Sequence, residues 1–146
     1  MIPGVKNSAV HRRPDGNLDV IVSFYKTIAV WTDGEKFYPL SADGTIVKEP
    51  SNMHTPESVL FRGKLPNDIS GITAAARGIV RHLDYLEWIE GRRWNLITTG
   101  GTTIMLPEKN PETAIASLIV LHQNNNILNK DIQMIDMRDD MRILVK

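Results

Sequence analysis

The sequence has no cysteine. Disulfide frameworks, thiolate metal centres and cysteine nucleophiles are therefore excluded, while the redox compartment stays open. Aromatic residues are sparse, at 6% of 146 residues. A charge excess is missing too: 17 Lys and Arg balance 17 Asp and Glu. Nonspecific nucleic-acid binders need surplus cations for phosphate contacts, so neutrality argues against that class. No stretch approaches the roughly 20 apolar residues of a spanning helix. The densest patch, residues 118–121, is far shorter. Met1-Ile2-Pro3-Gly4-Val5-Lys6 lacks the basic start and apolar run of a signal peptide. The chain is expected to carry neither leader nor anchor.

What is there is ordinary for a globular domain: 42% hydrophobic and 23% charged residues. This length suits one domain, or one with an appendage, and buries roughly two thirds of its unfolded surface. The first 50 residues read as strands. Leu18-Asp19-Val20-Ile21-Val22 alternates and is β-branched, and Asp15-Gly16-Asn17 turns it back on residues 8–12. Residues 28–31 continue as strand. Asp33-Gly34 leads into residues 36–40, and Asp43-Gly44 into residues 45–48. Pro50, Pro56 and Pro66 mark residues 49–67 as a connection, with Val59-Leu60-Phe61 a short buried strand inside it.

Asp68 reads as a helix N-cap, followed at helical spacing by Ile69, Ile72, Ala76, Ile79, Val80 and Leu83. Tyr85, Glu87 and Ile89 suit a strand. Residues 94–99 and 102–106 flank Gly100-Gly101, a two-residue hairpin signal. Asn110-Pro111-Glu112 starts a second helix with inner stripe Ala114, Ile115, Leu118, Ile119 and His122, and Asn124-Asn125-Asn126 ends it. Residues 132–138 and 141–146 form a last hairpin. The expected fold is α+β: a mainly antiparallel sheet, two helices on one side, and a C-terminal edge strand.

The search for chemistry yields little. His11, His54, His82 and His122 have no helical metal-pair spacing. Gly100-Gly101 is followed by a strand, whereas a phosphate loop needs a helix N-terminus there. Asp136, Asp139 and Asp140 lack a Gly-containing calcium loop and have Arg138 and Arg142 beside them. Arg92-Arg93-Trp94 is too little for a nucleic-acid surface on a neutral chain. No cofactor or metal is implied. One positive feature remains. The terminal Arg142-Ile143-Leu144-Val145-Lys146 is either an open edge able to accept another strand or a strand paired internally or frayed.

The ordered motifs resemble the extracytoplasmic part of the FtsQ/DivIB family of bacterial division proteins. The residues are Leu18-Asp19-Val20-Ile21-Val22 with Ile28-Ala29-Val30-Trp31, and Tyr38-Pro39-Leu40-Ser41-Ala42-Asp43-Gly44-Thr45-Ile46-Val47. They continue with Arg93-Trp94-Asn95-Leu96, Gly100-Gly101 and Ile104-Met105-Leu106-Pro107, and Ile132-Gln133-Met134-Ile135-Asp136-Met137-Arg138. Phe24 and Thr27 depart from the family's Glu and Pro, and Asp139 stands where some relatives carry an aromatic.

The resemblance implies a POTRA remnant (its final hairpin) over residues 1–31 and an FtsQ-type β-domain over 32–146. It implies a noncatalytic scaffold at the periplasmic face of the inner membrane, anchored by a segment outside this chain. Its partners would be FtsB- and FtsL-like proteins, and its role would be in septal peptidoglycan synthesis. The implied partner-binding residues are Arg138, Asp139, Met141, Arg142, Ile143, Leu144, Val145 and Lys146, with Arg92 nearby. Arg138 would pair with an acid on the partner. Two other readings stand beside this one. One is a small ligand-binding or hydrolytic domain with a site built from dispersed His, Asp and Arg residues. The other is a self-associating module.

Overall fold

The structure, a computed structural model, describes residues 5–24, 26–48, 57–139 and 142–146. Expectations at Pro50, His54, Pro56, Asp140 and Met141 fall outside these residues. β1 (Val5–Arg12) and β2 (Leu18–Phe24) form an antiparallel two-stranded sheet of their own. Their turn follows from Asp15-Gly16-Asn17: Gly16 takes φ 87°, and the Asp15 carboxylate accepts the Asn17 N–H. The described side chains on this hairpin are exposed, Val10, Leu18 and Val20 among them.

The other strands build one eight-stranded sheet. They are β3 (Thr27–Thr32), β4 (Phe37–Ser41), β5 (Leu60–Arg62), β6 (Leu83–Ile89) and β7 (Arg93–Thr98), then β8 (Thr103–Met105), β9 (Met134–Asp136) and β10 (Leu144–Val145). Helix α1 (Ser70–Ala76) precedes β6, and α2 (Pro111–Asn125) lies between β8 and β9. The order across the sheet is β10-β9-β8-β7-β6-β5-β3-β4. β3 with β5, β5 with β6, and β8 with β9 run parallel; the other neighbours are antiparallel. The α+β class stands, with a mixed sheet. The crossovers through α1 and α2 are what make β5–β6 and β8–β9 parallel.

Register explains the core. Phe61 pairs with Leu86, Leu86 with Leu96, Leu96 with Ile104, and Ile104 with Ile135. All five are fully buried. Because strand side chains alternate, one such row fixes the inner face of every strand it crosses. Against it pack Ile69, Ile72 and Ala76 of the α1 region and Ile115 and Leu118 of α2. Trp94 joins the same core, 5.4 Å from Phe61 and 4.9 Å from Trp88 between ring centroids.

Several local expectations change. The helix foreseen over 69–83 is α for only one stretch; Arg77–His82 tightens to 3-10, with Ile79 at φ −127°. Gly78 lies there because α2 comes close: a Cβ on it would stand 2.6 Å from Ile119 Cδ1. Asp68 accepts the Ser70 N–H and hydroxyl at 3.0 and 2.7 Å, one residue ahead of the N-cap, Ile69. Asn110 sits at φ 52° and makes no side-chain cap; its carbonyl accepts the Thr113 and Ala114 N–H groups. The hairpin at Gly100-Gly101 has a longer loop, because the Thr98 N–H bonds the Thr102 carbonyl and Gly101 takes φ 88°. Residues 45–48 are no strand; Ile46 makes a single bridge to Leu40. The last hairpin is shorter than its sequence pattern, limited to β9 and β10.

Leu96→Ala should lower stability by about 3 kcal/mol, because the rigid sheet cannot close the cavity. Gly44→Ala should cost about 1–3 kcal/mol, since Gly44 has φ 80° and its Cβ would meet the Pro66 carbonyl oxygen. Urea unfolding reads both. Val120→Ala, on the exposed side of α2, is the control.

Candidate functional site

The two ends of the large sheet differ. At the β4 end, Pro39 has no N–H to offer, and its carbonyl accepts the Val47 N–H at 2.9 Å. That edge is both proline-bearing and covered, a common protection against unwanted pairing. At the β10 end, Met134 and Lys146 exchange both backbone bonds, at 2.9 and 3.2 Å. Antiparallel alternation makes Leu144–Asp136 the next bonded pair. The N–H and C=O of Val145 and the C=O of Ile143 then point away from the sheet. Among the described residues no backbone group pairs with them.

Side chains on β10 alternate as well. Val145 is opposite Ile135 and so continues the buried row, yet it is 47% exposed. Ile143, one step beyond the paired register, shares this inner face and is 39% exposed. With Met137, Ala114 and Ser117 it lines a cleft of about 630 Å³ between α2 and the C-terminal segment. Leu144 points to the outer face, beside a hollow of about 300 Å³ lined by Asp136, Arg138, Asp139 and Arg142.

In that hollow Arg138 forms a fork on Asp136. Its Nε donates to Oδ1 at 2.9 Å and its Nη2 to Oδ2 at 2.8 Å, while its backbone N–H adds a third bond at 3.0 Å. The Asp136 side chain is only 12% exposed and Arg138 is 51% exposed. The Arg138 side-chain bonds hold the Asp136 carboxyl at about 2, helped by the positive charge of Arg93. Arg138 is raised in turn by its bonds to Asp136. Asp139 faces Arg142 at 3.5 Å. An acid on a partner would meet Arg138 with one side of its guanidinium already engaged.

The expected site residues therefore separate. Arg138, Asp139, Arg142, Ile143, Leu144, Val145 and Lys146 gather at the β10 edge, and Met141 is outside the described residues. Arg92 lies at the β6–β7 turn, exposed and paired with Glu90. Its neighbour Arg93 is the arginine that reaches toward the site, donating to Asn95 Oδ1 at 2.6 Å. Sequence reasoning missed Arg93 and the α2 flank of the cleft. Strand alternation from Trp94 would have put Arg93 on the outer face with Asn95; nothing in the sequence places α2 against β10.

The histidines divide too. His82 and His122 meet with ring centroids 4.7 Å apart, and His122 Nδ1 accepts the Leu128 N–H at 3.1 Å. His11 is on the separate hairpin. Neither His82 nor His122 lines the cleft or the hollow, so among the described residues these histidines do not converge with Asp136 and Arg138. Among the described residues no group of three or more His, Asp or Glu could hold a metal. No helix there is long and apolar enough to cross a membrane.

Residues 29–138 match the family described as cell division protein FtsQ/DivIB, C-terminal. The chain belongs to the FtsQ/DivIB family. It is 26% identical over 146 residues to the cell division protein FtsQ of Caulobacter vibrioides, covering 97% of this chain and 48% of that protein. With FtsQ of Rhizobium meliloti it shares 23% over 157 residues, covering 99% and 48%. The chain thus spans about half the length of these FtsQ relatives. The major extracytoplasmic domain of the trans isomer of DivIB from Geobacillus stearothermophilus is 16% identical with TM-score 0.48, covering 71% of this chain and 98% of that one.

The site's ionisation is testable. Asp136 has a depressed pKa, so its contribution to stability is full above the ordinary carboxylate value near 3.8 and is lost as pH falls toward about 2. Arg138→Gln should return the Asp136 midpoint toward 3.8, read by carboxyl NMR titration. His82 is lowered from 6.5 by burial and by nearby His122. Its neutral form is favoured by folding, so its contribution is present above 6.5 and lost as pH drops through the folded midpoint. His122→Gln should raise the His82 midpoint, read by imidazole NMR.

Proposed function

We propose that this chain is a noncatalytic scaffold module of the division machinery that receives a partner segment by strand addition at β10. The observation that carries the reading is the open edge: Val145 offers both backbone groups outward while its side chain continues a buried row. Main-chain bonds supply affinity in such binding, and alternate side chains supply specificity. Family membership supports a role in cell division and FtsB- and FtsL-like proteins as partners, with the consequence of placing or regulating septal peptidoglycan synthesis. The same family supports a periplasmic position at the inner membrane.

Two modules fit this reading. The β1–β2 hairpin is the POTRA remnant, and the eight-stranded sheet is the FtsQ-type β-domain. The family match begins at residue 29, while the FtsQ relatives align over nearly the whole chain. Residues 27–31, given to the first unit by the sequence resemblance, lie in the larger sheet as β3, with Ala29 in its core. On this reading the division lies before β3 rather than after residue 31.

Titrating isotope-labelled chain with the periplasmic segment of an FtsB-like protein should move the amide signals of Arg138, Arg142, Ile143, Leu144, Val145 and Lys146. A folded spectrum with no shift at saturating segment would refute the scaffold reading. Arg138→Glu should weaken binding by about tenfold or more, read by calorimetry.

A further inference from the structure

Two contacts join α2 to the segment between α1 and β6, one above the other. The first is the approach of Ile119 to Gly78, where a Cβ would stand 2.6 Å from Ile119 Cδ1. About one helical turn further on, His122 meets His82 with ring centroids 4.7 Å apart and planes at 66°. Both residues are half-buried. His122 also holds the chain that leaves the helix. Its carbonyl accepts the Asn126 N–H at 2.7 Å, and its Nδ1 accepts the Leu128 N–H at 3.1 Å. Asn126 stands at φ 55°, and the residues after it, Ile127 and Leu128, are buried in the core.

We propose that His122 and His82 form a proton-operated latch: acid releases residues 126–131 from the core and leaves the sheet intact. A backbone N–H can only donate, so the Nδ1 facing Leu128 carries a lone pair and the ring hydrogen sits on Nε2. An imidazolium has hydrogens on both nitrogens. A protonated His122 would face the Leu128 N–H donor to donor, so the bond and the proton exclude each other. Once the turn lets go, the cation stands in the last turn of α2, where the helix dipole favours it.

His82 adds to the effect, because a charge on either ring disfavours a charge on the other. Burial and His122 hold His82 below its ordinary 6.5, so folding favours its neutral form, and that contribution is lost as pH falls. No countercharge relieves the pair among the described residues. Arg81 and Asp84 flank His82, and Lys130 and Asp131 follow Leu128; all four are exposed and form no salt bridge there. Arg77 of the same 3-10 segment donates to the Ile28 carbonyl at 3.2 Å. The β7–β8 turn contributes the Thr99 N–H, which donates to the His82 carbonyl at 2.9 Å, and no charge; residues 113–126 carry none besides His122.

The release has a defined extent. Beyond it, Thr102 Oγ1 donates to the Ile132 carbonyl at 2.6 Å and the Thr103 N–H to the Gln133 carbonyl at 3.0 Å. These groups do not titrate, so opening stops at the approach to β9.

The test follows hydrogen-exchange protection factors of the whole chain from about pH 8 to about pH 5, the range in which imidazoles ordinarily titrate. Leu128 and Lys130, whose N–H groups bond to His122 Nδ1 and the Ile127 carbonyl, should lose protection as pH drops. The loss should reach up to about tenfold per pH unit for each proton taken up, while Leu96 and Ile104 keep theirs. His122→Asn retains an acceptor at the position of Nδ1 and has no proton to gain; its Leu128 protection should not vary with pH. His82→Gln should keep a pH dependence at Leu128, but a shallower one.

Flat Leu128 protection in the unaltered chain overturns the latch. So does loss at Leu96 and Ile104 in step with Leu128, which is global unfolding. A pH dependence that survives His122→Asn assigns the proton to another group and overturns it as well. An unchanged slope in His82→Gln removes His82 from the latch.

Discussion

The structure depends on a single register. From Phe61 to Ile135 the inner-face residues of five neighbouring strands line up and are fully buried beneath Ile115 and Leu118 of α2. A slip of one residue at any of these pairings would turn that strand's apolar face to water. The parallel joints carry the same row as the antiparallel ones, so the two crossover helices are held in place by the strands they connect. Hydrophobic burial along the row supplies the driving force, and the hydrogen-bond ladders supply its direction.

The site inherits its geometry from that row. Inner and outer faces of β10 are set by Ile135 and Asp136 on its neighbour, not by β10 itself, which is two residues long and exposed. So short a strand adds little to global stability and opens at low cost. Its neighbour is different: Asp136 is fixed by three bonds from Arg138. A rigid strand thus presents a weakly held one, an arrangement consistent with the strand addition proposed above. The fork also keeps the guanidinium oriented, so part of the entropy of ordering it is already met before any partner arrives.

Much of this was legible from residues. Alternation placed Leu96 and Ile104 on strands, Asn110-Pro111-Glu112 and Asn126 bounded α2, and Asp-Gly and Gly-Gly pairs marked turns. Local signals failed where tertiary contacts decide. The α1 region ends early because Gly78 yields to Ile119 of α2, and helical spacing alone does not register that approach. Residues 45–48 look like a strand but find only one bridging partner at an edge. Parallel pairing of β8 with β9 is a matter of topology, invisible to periodicity. For the site, the terminal strand was legible as either an open or a paired edge, while Arg138 and the partner-binding role rested on resemblance. The cleft escaped notice because Ser117 and Ile143 meet only after α2 has docked.

The unequal edges also govern assembly. A sheet with two open edges can add copies of itself at both ends and grow without limit. Here Pro39 and the Val47 bond close the β4 side. Head-to-tail stacking through the ends of the large sheet is therefore blocked, and pairing between two copies through this sheet must use β10 twice, about a two-fold axis. That arrangement closes on itself and consumes the same groups a partner strand would need. A second copy and a different strand added at β10 would therefore compete for one edge, and pairing through the large sheet alone would stop at two copies.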